Sequence, residues 1–194
     1  MERPLIPLRQ SYLTVPEAAF VAGVSARMVQ HEIDERIVAS RTHAGRRSIS
    51  GVDVLYLSAV RRLHGQMAPA LRRQVRNAIA HSAAQNETTA HFEVFTLSLA
   101  SLESEVSEGF ETLERAKREF IETRADVLGG EPILRGTRLS ARLVADLIRQ
   151  GATVEELCDD YDLTREQVQA AVTFDQVTPK RGRPRRQRSD PSAG

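Results

Sequence analysis

A chain of 194 residues is long enough for one core or two small ones, and 27% charged residues with 5% aromatics and no tryptophan fit a helix-rich composition. The single cysteine, Cys158, excludes an internal disulfide and a cysteine-based metal cluster. The net charge of +1 conceals a segregation: 12 Lys+Arg against 6 Asp+Glu in residues 1–82, 4 against 10 in 83–126, 5 against 9 in 127–178 and 6 against 1 in 179–194. Two basic ends, suited to a polyanion, therefore flank an acidic middle that would repel one. No apolar run is long enough to span a bilayer, and the start, MERPLIPLRQ, lacks the apolar stretch of a signal peptide, so the cytoplasm is the expected location.

Residues 1–11 read as an extended arm, because Pro4 and Pro7 break any helix. Thr14 is placed to cap a helix with Pro16 in its first turn, where a missing N–H costs nothing, and Val15, Ala18, Ala19 and Ala22 recur on an inward face. Gly23 marks a tight turn. Ser25 caps a second helix to about Asp34, with Met28, Val29 and Ile33 on its buried side. Ile37-Val38-Ala39 and Arg46-Arg47-Ser48-Ile49 bracket His43-Ala44-Gly45 as the arms of a hairpin, and Ser50 caps a third helix from about Val52 to His64.

Helix, glycine turn, helix and hairpin follow the order of a winged helix-turn-helix. VPEAAFVAGVSARMV resembles the helix-turn-helix, and SRTHAGRRSISGVDVLYL the wing and following helix, of the MerR/excisionase class. The chain departs from that class in carrying Gln30-His31-Glu32 where an aromatic pair is usual. The resemblance implies a second helix in the major groove, with Ser25, Arg27, Gln30 and His31 near base edges, and a wing whose Arg41, Arg46 and Arg47 hold phosphates. The competing reading is a three-helix packing module whose arginines are merely solvated.

Pro69 opens another helix, with Leu71, Val75, Ala78 and Ile79 on one face and Arg72, Arg73 and Arg76 on the other. HFEVFTLSL alternates like a strand, whose candidate partners are the wing hairpin, the later Ile133-Leu134 pair and the same strand of a second copy, the last two being favoured. Residues 103–123 read as a charged helix with the narrow stripe Val106, Phe110, Leu113, Phe120 and Ile121, suited to packing or to a two-helix dimer seam, with Gly109 as a weak point.

At Gly129–Ser140, GGEPILRGTRLS, glycine and proline density demands an irregular backbone, Ile133-Leu134 is a short strand or hook, and Thr137 or Ser140 caps the helix that follows. Three short helices come next: Ala141–Gln150, then Val154–Tyr161 and Arg165–Phe174, with capping boxes at Thr153/Glu156 and Thr164/Gln167. Their expected core is Leu143, Leu147, Ile148, Leu157, Tyr161, Leu163, Val168, Ala171 and Val172, with Cys158 a core thiol. From Thr153 to Asp175 there are seven acids and one base, unfavourable beside a phosphate backbone, so this unit reads as mainly protein-binding or dimerising.

GGEPILRGTRLS, with the residues after it to about Phe174, resembles the signature of the DUF433 family, whose Gly-x-Pro, apolar pair and Arg-Gly-Thr-Arg fall here on Gly130, Pro132, Gly136, Thr137 and Arg138. DUF433 proteins are often described as antitoxins encoded beside PIN-like ribonuclease toxins, and longer members place a helix-turn-helix ahead of the signature. The basic tail is compositionally of the disordered kind. Its Arg181-Gly182-Arg183-Pro184 matches an AT-hook core, suited to a narrow minor groove. Alternatively, Lys180, Arg181, Arg183, Arg185 and Arg186 plug a nuclease's acidic metal site.

The expected fold is therefore mainly α with short β elements: a winged helix-turn-helix over 1–66, linker helices and a strand serving dimerisation over 67–126, a three-helix DUF433 domain over 127–178 and a disordered tail over 179–194. The expected function is that of a homodimeric antitoxin. It would bind operator DNA as an autorepressor and block a PIN-like ribonuclease toxin through its C-terminal region. The alternative is a stand-alone winged-helix regulator with an AT-hook-like tail. No catalytic constellation, cofactor motif or metal-ligand spacing is present, so an enzyme is not expected.

Overall fold

The computed structural model of the protein describes residues 7–43, 45–61, 64–92 and 95–178. Helices dominate, and strands run only three to five residues, so the chain is mainly α with small sheets.

The N-terminal residues do more than form an arm. Leu8–Gln10 make a 3-10 turn and β1 (Tyr12–Thr14) leads directly into α1 (Val15–Ala22). At the start of α1 the Thr14 backbone N–H donates to the Glu17 carboxylate, as in a capping box, and Gly23 closes the helix in the left-handed conformation (φ +66°) that a β-carbon disfavours. Ser25 then caps α2 (Ala26–Asp34) by accepting from the Met28 N–H.

Beyond α2, the hairpin is displaced from its expected position. Ile37 and Val38 are buried core residues, and the paired strands are β2 (Arg41–His43) and β3 (Arg46–Ser50). β3 is central, paired antiparallel to β2 on one side and to β1 on the other, with Leu13 opposite Ile49. The pairing of Tyr12–Thr14 depends on a strand more than thirty residues away, which local pattern cannot reveal. α3 (Gly51–Val60) follows, capped by Ser50 but ending four residues short of His64. Its first residue must be glycine on contact grounds, since a β-carbon at Gly51 would lie 1.7 Å from the Leu8 carbonyl oxygen.

α4 (Pro69–Ala84) buries Val75 and Ile79 as expected, but its polar face is not all solvated: Arg72 is buried, and Leu71 is exposed. The expected single strand at 91–99 is instead a hairpin, β4 (Thr89–His91) with β5 (Thr96–Ser98), closed where the Phe92 N–H donates to the Phe95 carbonyl and the two rings stack 4.4 Å apart. Neither a second copy nor the hook is needed to pair it. α5 (Leu99–Arg115) begins earlier than expected and passes through a π-helical turn, Ala116–Phe120, into β6 (Ile121–Thr123).

The α5 stripe, Leu102, Val106, Phe110 and Leu113, packs against α1 and α3 of the same chain rather than lying open as a dimer seam. One core thus joins α1–α5, and the expected boundary at 66/67 does not divide it.

A second core belongs to the C-terminal unit. β7 (Pro132–Leu134) pairs with β6, placing Ile121 opposite Leu134. Ser140 caps α6 (Ala141–Arg149), while the Thr137 hydroxyl holds the hook by donating to the Leu134 carbonyl and accepting from the Leu139 N–H. α7 (Val154–Tyr161) and α8 (Arg165–Val177) carry the two expected capping boxes, and α8 extends past Phe174. Ile121, Leu134, Val144, Leu157, Leu163, Val168 and Ala171 form this core. Leu143 and Tyr161, expected inside, are exposed at 44% and 40%, because helical periodicity selects a face without saying how wide its cover will be. α8 ties the two cores together: it packs on α5 and α1, and its last residue, Val177, lies in the first core.

Candidate nucleic-acid interface

The candidate site is built on α2 and the β2–β3 hairpin. Ser25 occupies the cap of α2 and is exposed, with its hydroxyl engaged by the Met28 N–H at 3.1 Å. Arg27 and His31 are exposed on the helix itself. Gln30 is half-buried and donates to Asp34 Oδ1 at 2.8 Å. Arg41, Arg46 and Arg47 are exposed on the hairpin, where antiparallel pairing sets Arg41 opposite Ser48 and Arg47 opposite Thr42.

Beneath this face lies a buried ionic cluster. Glu32, on the inner side of α2, accepts from the Tyr56 hydroxyl of α3 at 2.6 Å and from Arg72 of α4. Burial, then the Glu32 carboxylate, pushes the Tyr56 phenol far above its ordinary value. Three helices therefore meet at one carboxylate on the inner surface of α2.

Most of the described arginines outside α2 and the hairpin are engaged in ion pairs. Arg61 and Arg76 pair with Glu105 and Asp53, Arg149 with Asp146 and Asp175, and Arg165 with Glu155. Arg27, Arg41, Arg46 and Arg47 make no ion pair among the described residues, and the same holds for Arg36, Arg73 and Arg138. Unneutralised, exposed guanidinium groups on one helix and the adjoining hairpin form the arrangement that phosphates attract.

A cleft of about 740 Å³ opens beside this face. Thr14–Pro16 at the start of α1, Gln30, Arg46 and Arg47 form one wall, and Leu128, Glu131, Pro132, Arg142 and Thr178 form the other. The fold thus brings three of the expected contact residues to the edge of the signature stretch, while Ser25, Arg27, His31 and Arg41 lie outside the cleft lining. Sequence reading misses Arg142 and Glu131, because their position depends on how the C-terminal unit packs against the hairpin.

The signature residues divide by role. Gly130 and Gly136 adopt left-handed backbone (φ +79° and +78°), and Pro132 opens β7. Arg135 has a structural task that the spacing does not reveal. Its guanidinium donates to the carbonyls of Arg118 (3.0 Å) and Glu119 (2.9 Å), so it caps the π-helical turn where carbonyls lack helical partners. Arg138 remains exposed with no ion pair among the described residues. Lys180, Arg181, Arg183, Arg185 and Arg186 lie outside the described residues.

Among the described residues, no group of three or more His, Cys, Asp or Glu is disposed to hold a metal, and no helix is long and apolar enough to cross a membrane.

The unit from β6 to α8 coincides with a known sequence family: the family described as "Protein of unknown function (DUF433)" matches residues 121–174. The match starts at the first residue of β6, not at the expected boundary of 127, because β6 is the pairing partner of the hook. A curated relative, "Uncharacterized protein y4eO" of Sinorhizobium fredii (strain NBRC 101917 / NGR234), is 29% identical over 194 residues, covering 93% of this chain and 87% of the relative. Among solved structures, the X-ray crystal structure of RV2018 from Mycobacterium tuberculosis matches at 15% identity with a TM-score of 0.36, covering 89% of this chain and 100% of that one.

Proposed function

We propose that the protein is a DNA-binding autorepressor and the antitoxin of a toxin–antitoxin pair. As a homodimer it reads a palindromic operator with α2 and the β2–β3 hairpin, and it blocks a PIN-like ribonuclease with its C-terminal region. The observation that carries the DNA half is the set of exposed arginines, Arg27, Arg41, Arg46 and Arg47, left without ion pairs among the described residues, where most of the other described arginines are paired. A helix docked by a buried carboxylate, with a basic hairpin beside it, has the dimensions and charge of a major-groove reader. The neutralising half is supported by the DUF433 match over residues 121–174, taken with the antitoxin role that the resemblance of the signature stretch implies.

The test is binding of the full chain to the DNA upstream of its own reading frame, by fluorescence anisotropy across a salt series. Arg27, Arg46 and Arg47 changed together to alanine should abolish specific binding and flatten the salt dependence by about 0.9 in slope for each phosphate no longer neutralised. Full retention of specific binding by that variant would defeat the reading. Capture of a small nuclease by the tagged protein, after nuclease treatment to remove DNA bridging, checks the antitoxin half.

A further inference from the structure

The cleft beside the hairpin has a cationic residue on each of its walls. Arg46 and Arg47 come from β3, and Arg142 comes from the first turn of α6 in the C-terminal unit. The nearest carboxylate to Arg142 is Asp175, at 3.8 Å. Asp175, however, is held more closely by Arg149, at 2.7 Å. Arg142 is thus weakly engaged and remains partly exposed towards the cleft. Gln30 of α2 also lines the cleft, with its side-chain amide donating to Asp34. One carboxylate, Glu131, lines the cleft and makes no ion pair among the described residues.

Three guanidinium groups against one carboxylate, divided between opposing walls, suit an extended polyanion running along the cleft better than a compact neutral ligand. Duplex DNA read by α2 and the hairpin would pass Gln30, Arg46 and Arg47, which also line this cleft. From this we infer that the DUF433 unit is itself part of the DNA interface: Arg142 contacts an operator phosphate from the wall opposite Arg46 and Arg47, and Glu131 opposes that contact. The inference rests on the proposed DNA-binding function and deepens it. The acidic segment that begins at Thr153 reaches Arg142 through Asp175, whose carboxylate Arg149 holds more closely.

The experiment compares the full chain with Arg142→Gln, Arg142→Lys and Glu131→Gln on the upstream DNA over a salt series, with circular dichroism to show each variant folded. Arg142→Gln should weaken specific and non-specific DNA severalfold alike and reduce the slope of log K against log salt by about one. Arg142→Lys should keep the wild-type slope, since a point cation still holds a phosphate. Glu131→Gln should bind more tightly than wild type. If Arg142→Gln and Glu131→Gln both bind like wild type while the Arg27/Arg46/Arg47 variant fails, the C-terminal unit lies outside the interface and the inference is overturned with the proposed function intact. If the unaltered chain binds no DNA at all, the proposed function falls and the inference with it.

Discussion

Glu32 is the residue on which the presentation of α2 depends. It is fully buried, Arg72 is only 4% exposed, and Tyr56 is closed off with them. Desolvating such a pair costs nearly as much as its mutual attraction returns, so it adds little net stability over well-packed apolar side chains of the same volume. Removing one partner is different, because the other charge is then stranded in the core. Glu32→Ala should therefore destabilise the fold by about 3–5 kcal/mol. The triple change Glu32→Leu with Arg72→Met and Tyr56→Phe, which leaves no buried polar group stranded, should recover most of that loss. Urea unfolding followed by circular dichroism measures both. A single variant within about 1 kcal/mol of wild type would mean that water reaches the cluster and that the ionic grip on α2 is not what holds it.

Elements set by local chemistry are legible in the chain. Ser25, Ser50, Thr153/Glu156 and Thr164/Gln167 cap helices as their spacing implies, because a cap needs only residues three positions away. Elements set by distant partners are not. β1 exists because β3 lies beside it, β6 because the hook does, and Arg72 is buried because Glu32 waits across the core. The candidate site divides the same way: Arg46 and Arg47 stand out in the sequence as a basic pair beside a turn, whereas Arg142 acquires meaning only from packing. Gly109 shows how an element can mislead. On propensity it is a weak point in α5, yet it lies where α5 crosses α1, and a β-carbon there would meet the Val21 backbone at 3.6 Å, an ordinary van der Waals distance. Gly109→Ala should thus fit and stabilise the protein by up to about 1 kcal/mol through helix propensity. Gly109→Leu has no such room and should destabilise it. Thermal unfolding of the two variants tests this, and an alanine variant less stable than wild type would show that the α1–α5 approach is tighter than that distance indicates.

At the scale of the whole molecule, the question is what fixes the C-terminal unit against the hairpin. One tie is electrostatic: Lys117 reaches from the π-helical turn to Glu17 of α1 at 3.1 Å. Burial opposes charge on both partners, but their mutual attraction prevails, helped at Glu17 by the Thr14 backbone N–H and at Lys117 by Glu114. The carboxyl is held below its ordinary value and the ammonium above. The other tie is apolar. Val177, at the end of α8, is buried in the first core although the rest of its unit has a core of its own. A helix whose body serves one core and whose end is buried in another transmits the position of the first to the second. Thr178, the residue after this peg, is part of the lining of the cleft that Arg46, Arg47 and Arg142 share. Val177→Asp places an unpaired carboxylate in the first core and should release the end of α8 without touching any proposed DNA contact. Calorimetry should show one unfolding transition for the wild-type protein and two for the variant. DNA affinity should fall to the level of Arg142→Gln rather than to that of the hairpin arginine variant, because the hairpin wall survives and only the opposing wall is displaced. A Val177→Asp protein that unfolds in one step and binds with wild-type affinity would show that the pairing of Lys117 with Glu17 and the packing of α8 on α5 hold the two units in register without the peg.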